Sequence, residues 1–171
     1  MAFTIRNAGA ADAPLLAQLA RDSFVETFGH LYPPGDLNAF LESSYAEPVV
    51  AADLADPQQQ WLLAHDRAGR AAGYAQMGPC TLPHPRARDS HGELKRLYVR
   101  AFAQGGGLGQ ALLERALAWI GIRFNGPIWI GVWSENARAL SLYSGFGFEK
   151  TGEYEFEVGR TRDLEFILVR D

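Results

Sequence analysis

The stretch QGGGLGQALL, Gln104–Leu113, sets three glycines together, then one more residue, a fourth glycine and an amphipathic run. Glycine lacks the Cβ that holds other backbones away from a neighbour, so such a cluster marks a close approach. A helix opening here presents N–H groups that have no intrahelical partner, at the positive end of the helix dipole. A phosphate accepts several such groups at once. The stretch therefore reads as the loop of a strand–loop–helix unit that receives an anion.

The flanks narrow the choice of anion. ELKRLYV, Glu93–Val99, reads as a strand and leads through Arg100–Ala103 into the glycines. Beyond them Leu108, Leu112, Ala116 and Trp119 mark one helix face, with Glu114 pointing elsewhere. The nucleotide phosphate loop needs a Gly-Lys pair, and the chain contains none. The dinucleotide fingerprint needs a glycine at the position of Gln110. What remains is Gln104-x-x-Gly107-x-Gly109 after a strand.

Around this unit, FTIRNA (Phe3–Ala8) alternates like a short strand. Asp12 and Pro14 open a helix in which Leu15, Leu19, Phe24 and Phe28 recur at roughly helical spacing. A break at Pro33–Gly35 precedes a second helix to about Tyr45, and EPVVAADLADP reads as a third, ended by Pro57. Gln60–Asp66 and Ala71–Met77 read as a hairpin, followed by a long loop, Gly78–Gly92, rich in Pro, Arg and His. PIWIGVW, Pro127–Trp133, is almost wholly apolar, as a strand in a sheet centre is. A helix capped by Ser134 and stopped by Gly145 or Gly147 follows, and two strands joined at Gly159 close the chain. The expected class is α/β in the α+β sense, without strict βαβα alternation.

The chain of 171 residues suits one domain, 1–171, with 47% hydrophobic and 21% charged residues. A net charge of −4, a pI near 5.6 and the lack of a basic tail give no support for nucleic acid or a membrane surface as partner. No apolar run is long enough to span a bilayer, and the start lacks the pattern of a signal peptide. Cys80 is the only cysteine, which makes a cytoplasmic setting the default expectation. No base and orienter are legible around Cys80, and His84 and His91 show no metal-ligand spacing, so no metal is expected.

The order and spacing of two motifs resemble the GCN5-related N-acetyltransferases. The first is Gln104-x-x-Gly107-x-Gly109 after a strand; the second is Asn136-x-x-Ala139-x-x-x-Tyr143-x-x-x-Gly147-Phe148 after a buried strand. The N-terminal SFVETFGHLYPPGDLNAFLESSY and the final EYEFEVGRTRDLEFILVR look most like bacterial PaiA-type members, linked to polyamine acetylation. The resemblance implies a mixed, mostly antiparallel sheet of about seven strands flanked by helices, with a splayed central strand pair. It implies acetyl-CoA as co-substrate and a primary amine of a small molecule as acceptor, and it allows a homodimer.

By the same resemblance, the backbone of Leu97, Tyr98 and Val99 pairs with pantetheine, and Gln104, Gly105, Gly106, Gly107, Leu108, Gly109 and Gln110 hold the pyrophosphate. Asn136 and Ala139 meet the pantetheine arm, and Tyr143 is the general acid facing the sulfur. An alkylammonium, with a pKa of about 10, must lose a proton before it attacks. Many relatives carry the base at the position of Lys95, which cannot serve; Glu93, two residues earlier, is the expected base, acting through a water. Glu153, Glu155 and Glu157 share one strand face that could draw a polycation, although an ordinary wet strand face explains them as well. Arg160 and Arg162 stand where PaiA-type members are expected to be acidic. A non-catalytic acyl-CoA-binding module and an acetyltransferase of peptides are the competing readings.

Overall fold

The computed structural model describes residues 2–171. Its strands are β1 (Thr4–Asn7), β2 (Gln60–His65), β3 (Ala71–Pro79), β4 (Gly92–Val99), β5 (Ile128–Trp133), β6 (Glu149–Val158) and β7 (Thr161–Arg170). Its helices are α1 (Ala13–Phe28), α2 (Pro34–Tyr45), α3 (Glu47–Ala55), α4 (Leu108–Arg123) and α5 (Ala137–Gly145). The strands form one seven-stranded sheet in the order β1-β2-β3-β4-β5-β7-β6. Every neighbouring pair is antiparallel except β4 and β5, which run parallel.

Strand parity sorts the side chains into two cores. Along β5, Ile128, Ile130 and Val132 face α4 and α5 and pack with Leu108, Leu112, Leu113, Ala116 and Phe148. Trp133 faces the other way, toward the aromatic core of α1 and α2, with Phe24, Phe28, Phe40, Tyr45, Trp61 and Tyr74. Phe24 alone sits within 6.1 Å, ring to ring, of Phe28, Tyr32, Phe40 and Tyr45. Burying such a ring stabilises the fold by about 2–3 kcal/mol, so this cluster fixes α1 and α2 over one face of the sheet.

Four local expectations change. Leu15 is 41% exposed and Leu16 is buried in its place, because the apolar stripe of α1 runs Leu16, Leu19, Ala20, Phe24, Phe28. The helix after β5 is capped by Asn136, whose Oδ1 accepts from Ala139 N–H, and not by Ser134. Asp12 sits at the start of α1, but its carboxylate takes the Gly9 N–H and the Arg6 guanidinium instead of capping. Those donors lower its pKa to about 2, the Arg6 bond first. The expected break narrows as well: α2 already begins at Pro34, which suits the first turn because its missing N–H is not needed there.

Two irregularities shape the middle of the sheet. In β4, Arg96 lies opposite Gln76 and Leu94 opposite Met77, so Lys95 is an extra, bulged residue. In addition β4 and β5 pair only through Gly92–Ile128, Glu93–Trp129 and Leu94–Ile130, and then part. Far from the parting, at the β6–β7 turn, the Asp36 carboxylate of α2 accepts from Arg160 N–H and the Thr161 hydroxyl. Gly159 there has φ +57°, and a Cβ on it would lie 2.5 Å from the Asp36 backbone, which requires glycine.

Candidate functional site

The parting of β4 and β5 opens into a cleft of about 970 Å3 that runs from the glycine loop to the roof formed by α1 and α2. At one end Gly105 and Gly107 hold φ of +84° and +83°, and Gly107 immediately precedes α4. A Cβ on either would meet no protein atom within 4 Å, so their bare backbones face open space. The first intrahelical bond is Ala111 N–H to Gly107 O, which leaves the amides of Leu108, Gly109 and Gln110 without helical partners. Gln104 fixes the loop: its Nε2 donates to Val99 O at 3.1 Å, and its Oε1 accepts from Arg138 at 2.8 Å.

Along the parting, Leu97, Tyr98 and Val99 line the cleft; they pair with β3 on one edge, and on the edge toward β5 no strand meets them past Leu94. From α5, Asn136, Ala139 and Tyr143 line it too. Asn136 spends its oxygen on the cap and keeps its amide NH2 as a donor. Tyr143 is 6% exposed, packed edge-on against Phe148, and burial raises its pKa, so it remains a phenol. Of the residues expected to hold a co-substrate, Gly106 alone is not part of the lining.

Glu93 also lines the cleft, and is only 4% exposed. Its Oε1 accepts from Thr81 N–H at 3.2 Å and lies 3.4 Å from Lys95 Nζ. The bulge at Lys95 breaks the two-residue alternation of β4. Because of it Glu93, Arg96 and Tyr98 face the same side as Gly78, Gln76 and Tyr74 of β3. Arg96 donates to Gln76 Oε1 at 2.8 Å and lies over the Tyr45 ring at 4.8 Å.

The far half of the cleft joins Tyr32, in the N-terminal part where the resemblance places an acceptor pocket, to residues of β5, β6 and β7 that sequence reading gave no role. Asp163 and Glu165 of β7, Tyr154 and Phe156 of β6, Tyr32 after α1, and Trp133 all line it. The Tyr32 hydroxyl donates to Asp163, and the Tyr154 hydroxyl donates to Glu165 at 3.3 Å. Burial, reinforced by the charge of Asp163 and opposed by the Tyr154 bond, lifts the Glu165 carboxyl to about 7. Parity was the available signal: Asp163 and Glu165 alternate with Leu164 and Phe166 and stand opposite Phe156 and Tyr154.

The same parity turns Glu153, Glu155 and Glu157 to the opposite face, away from the cleft. There Glu153 pairs with Lys150, and Arg162 pairs with Glu155 and Glu157. The acidic strand face is thus a wet, ion-paired surface, and Arg162 neutralises part of it. The other polar candidates are structural. His91 accepts from the Trp129 indole N–H at 3.0 Å, and His84 contacts Thr151. Burial pushes the Cys80 thiol up to about 11, which removes it as a nucleophile. Among the described residues no group of three or more His, Cys, Asp or Glu side chains is placed to hold a metal, and no helix is long and apolar enough to cross a membrane.

Residues 17–148 match the model of the acetyltransferase (GNAT) family. Two relatives span nearly the whole chain. An uncharacterized N-acetyltransferase of Lactobacillus delbrueckii subsp. lactis is 29% identical, over 92% of this chain and 90% of its own. One of Mycobacterium bovis is 30% identical, over 94% and 97%. Among solved structures, the PaiA N-acetyltransferase of Thermoplasma acidophilum in complex with coenzyme A superposes with a TM-score of 0.77 at 18% identity, covering 100% of this chain and 99% of that one. The ribosomal-protein-S18-alanine N-acetyltransferase of Escherichia coli superposes with a TM-score of 0.67 at 19% identity, covering 99% and 93%. The chain belongs to the GNAT acetyltransferase family, and its sheet with the central parting is that family's fold. It is an N-acetyltransferase of the acetyl-CoA-dependent kind.

Proposed function

We propose that residues 1–171 form a single catalytic domain that acetylates the primary amine of a small molecule by direct transfer, with both substrates bound together in the cleft, and that it does so in the cytoplasm. One observation carries the reading. The parting of β4 from β5 brings the glycine loop, the β5-facing edge of β4 beyond Leu94, Asn136 and Tyr143 into one cavity with a separate aromatic and acidic end. Acetyl-CoA supplies the acetyl thioester. The residues present fit it: three unpartnered amides at the start of α4 suit a pyrophosphate, and strand-edge groups at Leu97–Val99 suit pantetheine amides.

In this reading the Leu108, Gly109 and Gln110 amides, with the loop Gln104–Gly107, hold the phosphates. A backbone N–H at Leu97–Val99 draws the thioester oxygen and steadies the charge that develops on it. The amide of Asn136 positions the pantetheine arm beside Ala139. Tyr143, kept protonated by burial, gives its proton to the departing sulfur. The proton of the acceptor ammonium passes to a carboxylate of the cleft, Glu93 through a water being the one on β4. The aromatic walls Phe24, Phe28, Tyr32 and Phe156 admit the hydrocarbon part of the acceptor, and the β7 carboxylates, bonded to tyrosine hydroxyls and to no cation, favour its cationic form.

The test is release of free thiol from acetyl-CoA with a panel of spermidine, spermine, amino acids, aminoglycosides and a short peptide. Acceptor-dependent release with a small amine is the expected result. Release with the peptide alone would overturn the small-molecule assignment. Tight CoA binding with no release on any acceptor would replace it with a non-catalytic binding module.

A further inference from the structure

Four carboxylates line the cleft, and their partners differ. Asp53 accepts from Gln76 Nε2 at 3.3 Å. Glu93 is engaged by Thr81 and Lys95. Asp163 accepts from the Tyr32 hydroxyl. Glu165 accepts from the Tyr154 hydroxyl at 3.3 Å, and among the described residues no lysine, arginine or histidine nitrogen lies within 4.0 Å of it.

We propose that Glu165 is the proton acceptor for the incoming ammonium, and that Tyr154 is the residue that positions it. The inference rests on the acetyltransferase reading above and replaces Glu93 in the proton-accepting role. Glu165 stands opposite Trp133 in the β5–β7 register, at the end of β5 that has parted from β4. Tyr98 of β4, Tyr143 of α5 and Glu165 of β7 line the same cleft, so the proposed base and acid come from different elements around one cavity. The approach of Tyr154 is built into β5: a Cβ on Gly131 would lie 2.8 Å from the Tyr154 hydroxyl, so only a bare backbone lets that hydroxyl reach its position.

The groups acting on Glu165 itself are acidic or neutral, while the buried cation of the cleft, Arg96 of β4, is held by Gln76 and the Tyr45 ring and acts on Tyr98. Tyr154 comes from β6, Asp163 from its own strand, Tyr98 from β4, and Tyr32 from the turn after α1, while Glu93 acts on Tyr154 from β4. Burial and the Asp163 charge place the carboxyl at about 7, where a base is half available at neutral pH. Ordinary glutamates, already ionised far below this pH, hold a proton too weakly to draw it from an ammonium. In the step, one N–H bond of the ammonium breaks and an O–H bond forms on Glu165, leaving a neutral amine to attack. The second proton that nitrogen loses as the amide forms balances the one that Tyr143 gives to sulfur. Glu165 returns its proton to water once the product leaves.

The experiment is the pH profile of kcat/KM for the best acceptor, in wild type and four variants, with a carboxyl titration read separately. Wild type should rise to a plateau with a midpoint near 7. Glu165→Gln should fall about 100-fold at pH 8 and lose that limb, as removal of a general base does. Tyr154→Phe should move the limb to higher pH, because it removes a donor to the ionised form. Glu93→Gln should keep the limb, and Glu155→Gln, on the outer face, should match wild type. Independently of turnover, the infrared difference between wild type and Glu165→Gln in the protein alone should show a carboxyl band that titrates near 7. A Glu165→Gln enzyme with the wild-type limb, a limb lost in Glu93→Gln, or no such band would overturn the proposal. Wild type silent with every amine would overturn the acetyltransferase reading itself.

Discussion

Arg138, in the first turn of α5, donates to the side-chain oxygen of Gln104 at 2.8 Å, while the nitrogen of the same amide donates to Val99 O at 3.1 Å. One side chain therefore ties the end of β4, the start of the glycine loop and the helix that carries Tyr143. Both bonds are solvent-exposed, so they contribute little to global stability, but they set where the loop stands.

Gln104→Ala should weaken CoA binding about tenfold, the scale of one or two net hydrogen bonds of about 1 kcal/mol each. The unfolding temperature should hardly move. Calorimetric titration with CoA checks this, and an unchanged affinity would mean the loop keeps its shape without the tether.

Gly107→Val acts through the backbone. A Cβ there meets nothing of the protein within 4 Å, but φ is +83°, a region valine resists. The strain costs about 1–3 kcal/mol. CoA affinity should be lost while a folded, slightly less stable protein remains. Retained binding would show that phosphates do not lie against this residue.

Tyr143→Phe removes only the hydroxyl from a packed ring. We expect kcat to fall about 100-fold, the lower end of general acid catalysis, with CoA affinity and melting temperature close to wild type. Stopped-flow and equilibrium binding separate the two quantities, and an unaltered kcat would remove the acid role.

The Glu165 carboxyl also makes a stability prediction. Its folded pKa of about 7 lies above the ordinary 4.5, so the folded state binds this proton more tightly than the unfolded chain. Its contribution is present in full below about 4.5 and is lost as pH rises through about 7. The gap bounds the loss at roughly 3 kcal/mol, at about 1.4 kcal/mol per pH unit. Glu165→Gln should thus raise the melting temperature relative to wild type at pH 8 and converge with it at pH 4. Parallel curves at both pH values would show an unperturbed carboxyl.

The glycine loop was legible because its residues act through what they lack, and that reading needs no tertiary contacts. The buried β5 and the helix from Ala137 were legible for a related reason: their apolar spacing points one way only. The acceptor end was not, because its composition depends on two events that sequence periodicity does not report. One is the bulge at Lys95, which puts Glu93 and Arg96 on one side of β4 against the expected alternation. The other is which of two acidic strand faces turns inward; β6 and β7 each carry carboxylates, and only pairing across the hairpin decides for Asp163 and Glu165. Asn136 shows a smaller case, where Ser134 was an equally good cap by residue type and local geometry chose the later position.

The β4–β5 junction is three residue pairs long, and α2 is tied to the β6–β7 turn through the Asp36 carboxylate. The sheet is in effect two leaves, β1–β4 and β5–β7, bound at a short spine, with α2 bridging to the outer hairpin. The rings of Phe24, Phe28, Tyr32 and Phe156 then stand along the gap between the leaves, so in the proposed reading they set the girth of what enters it.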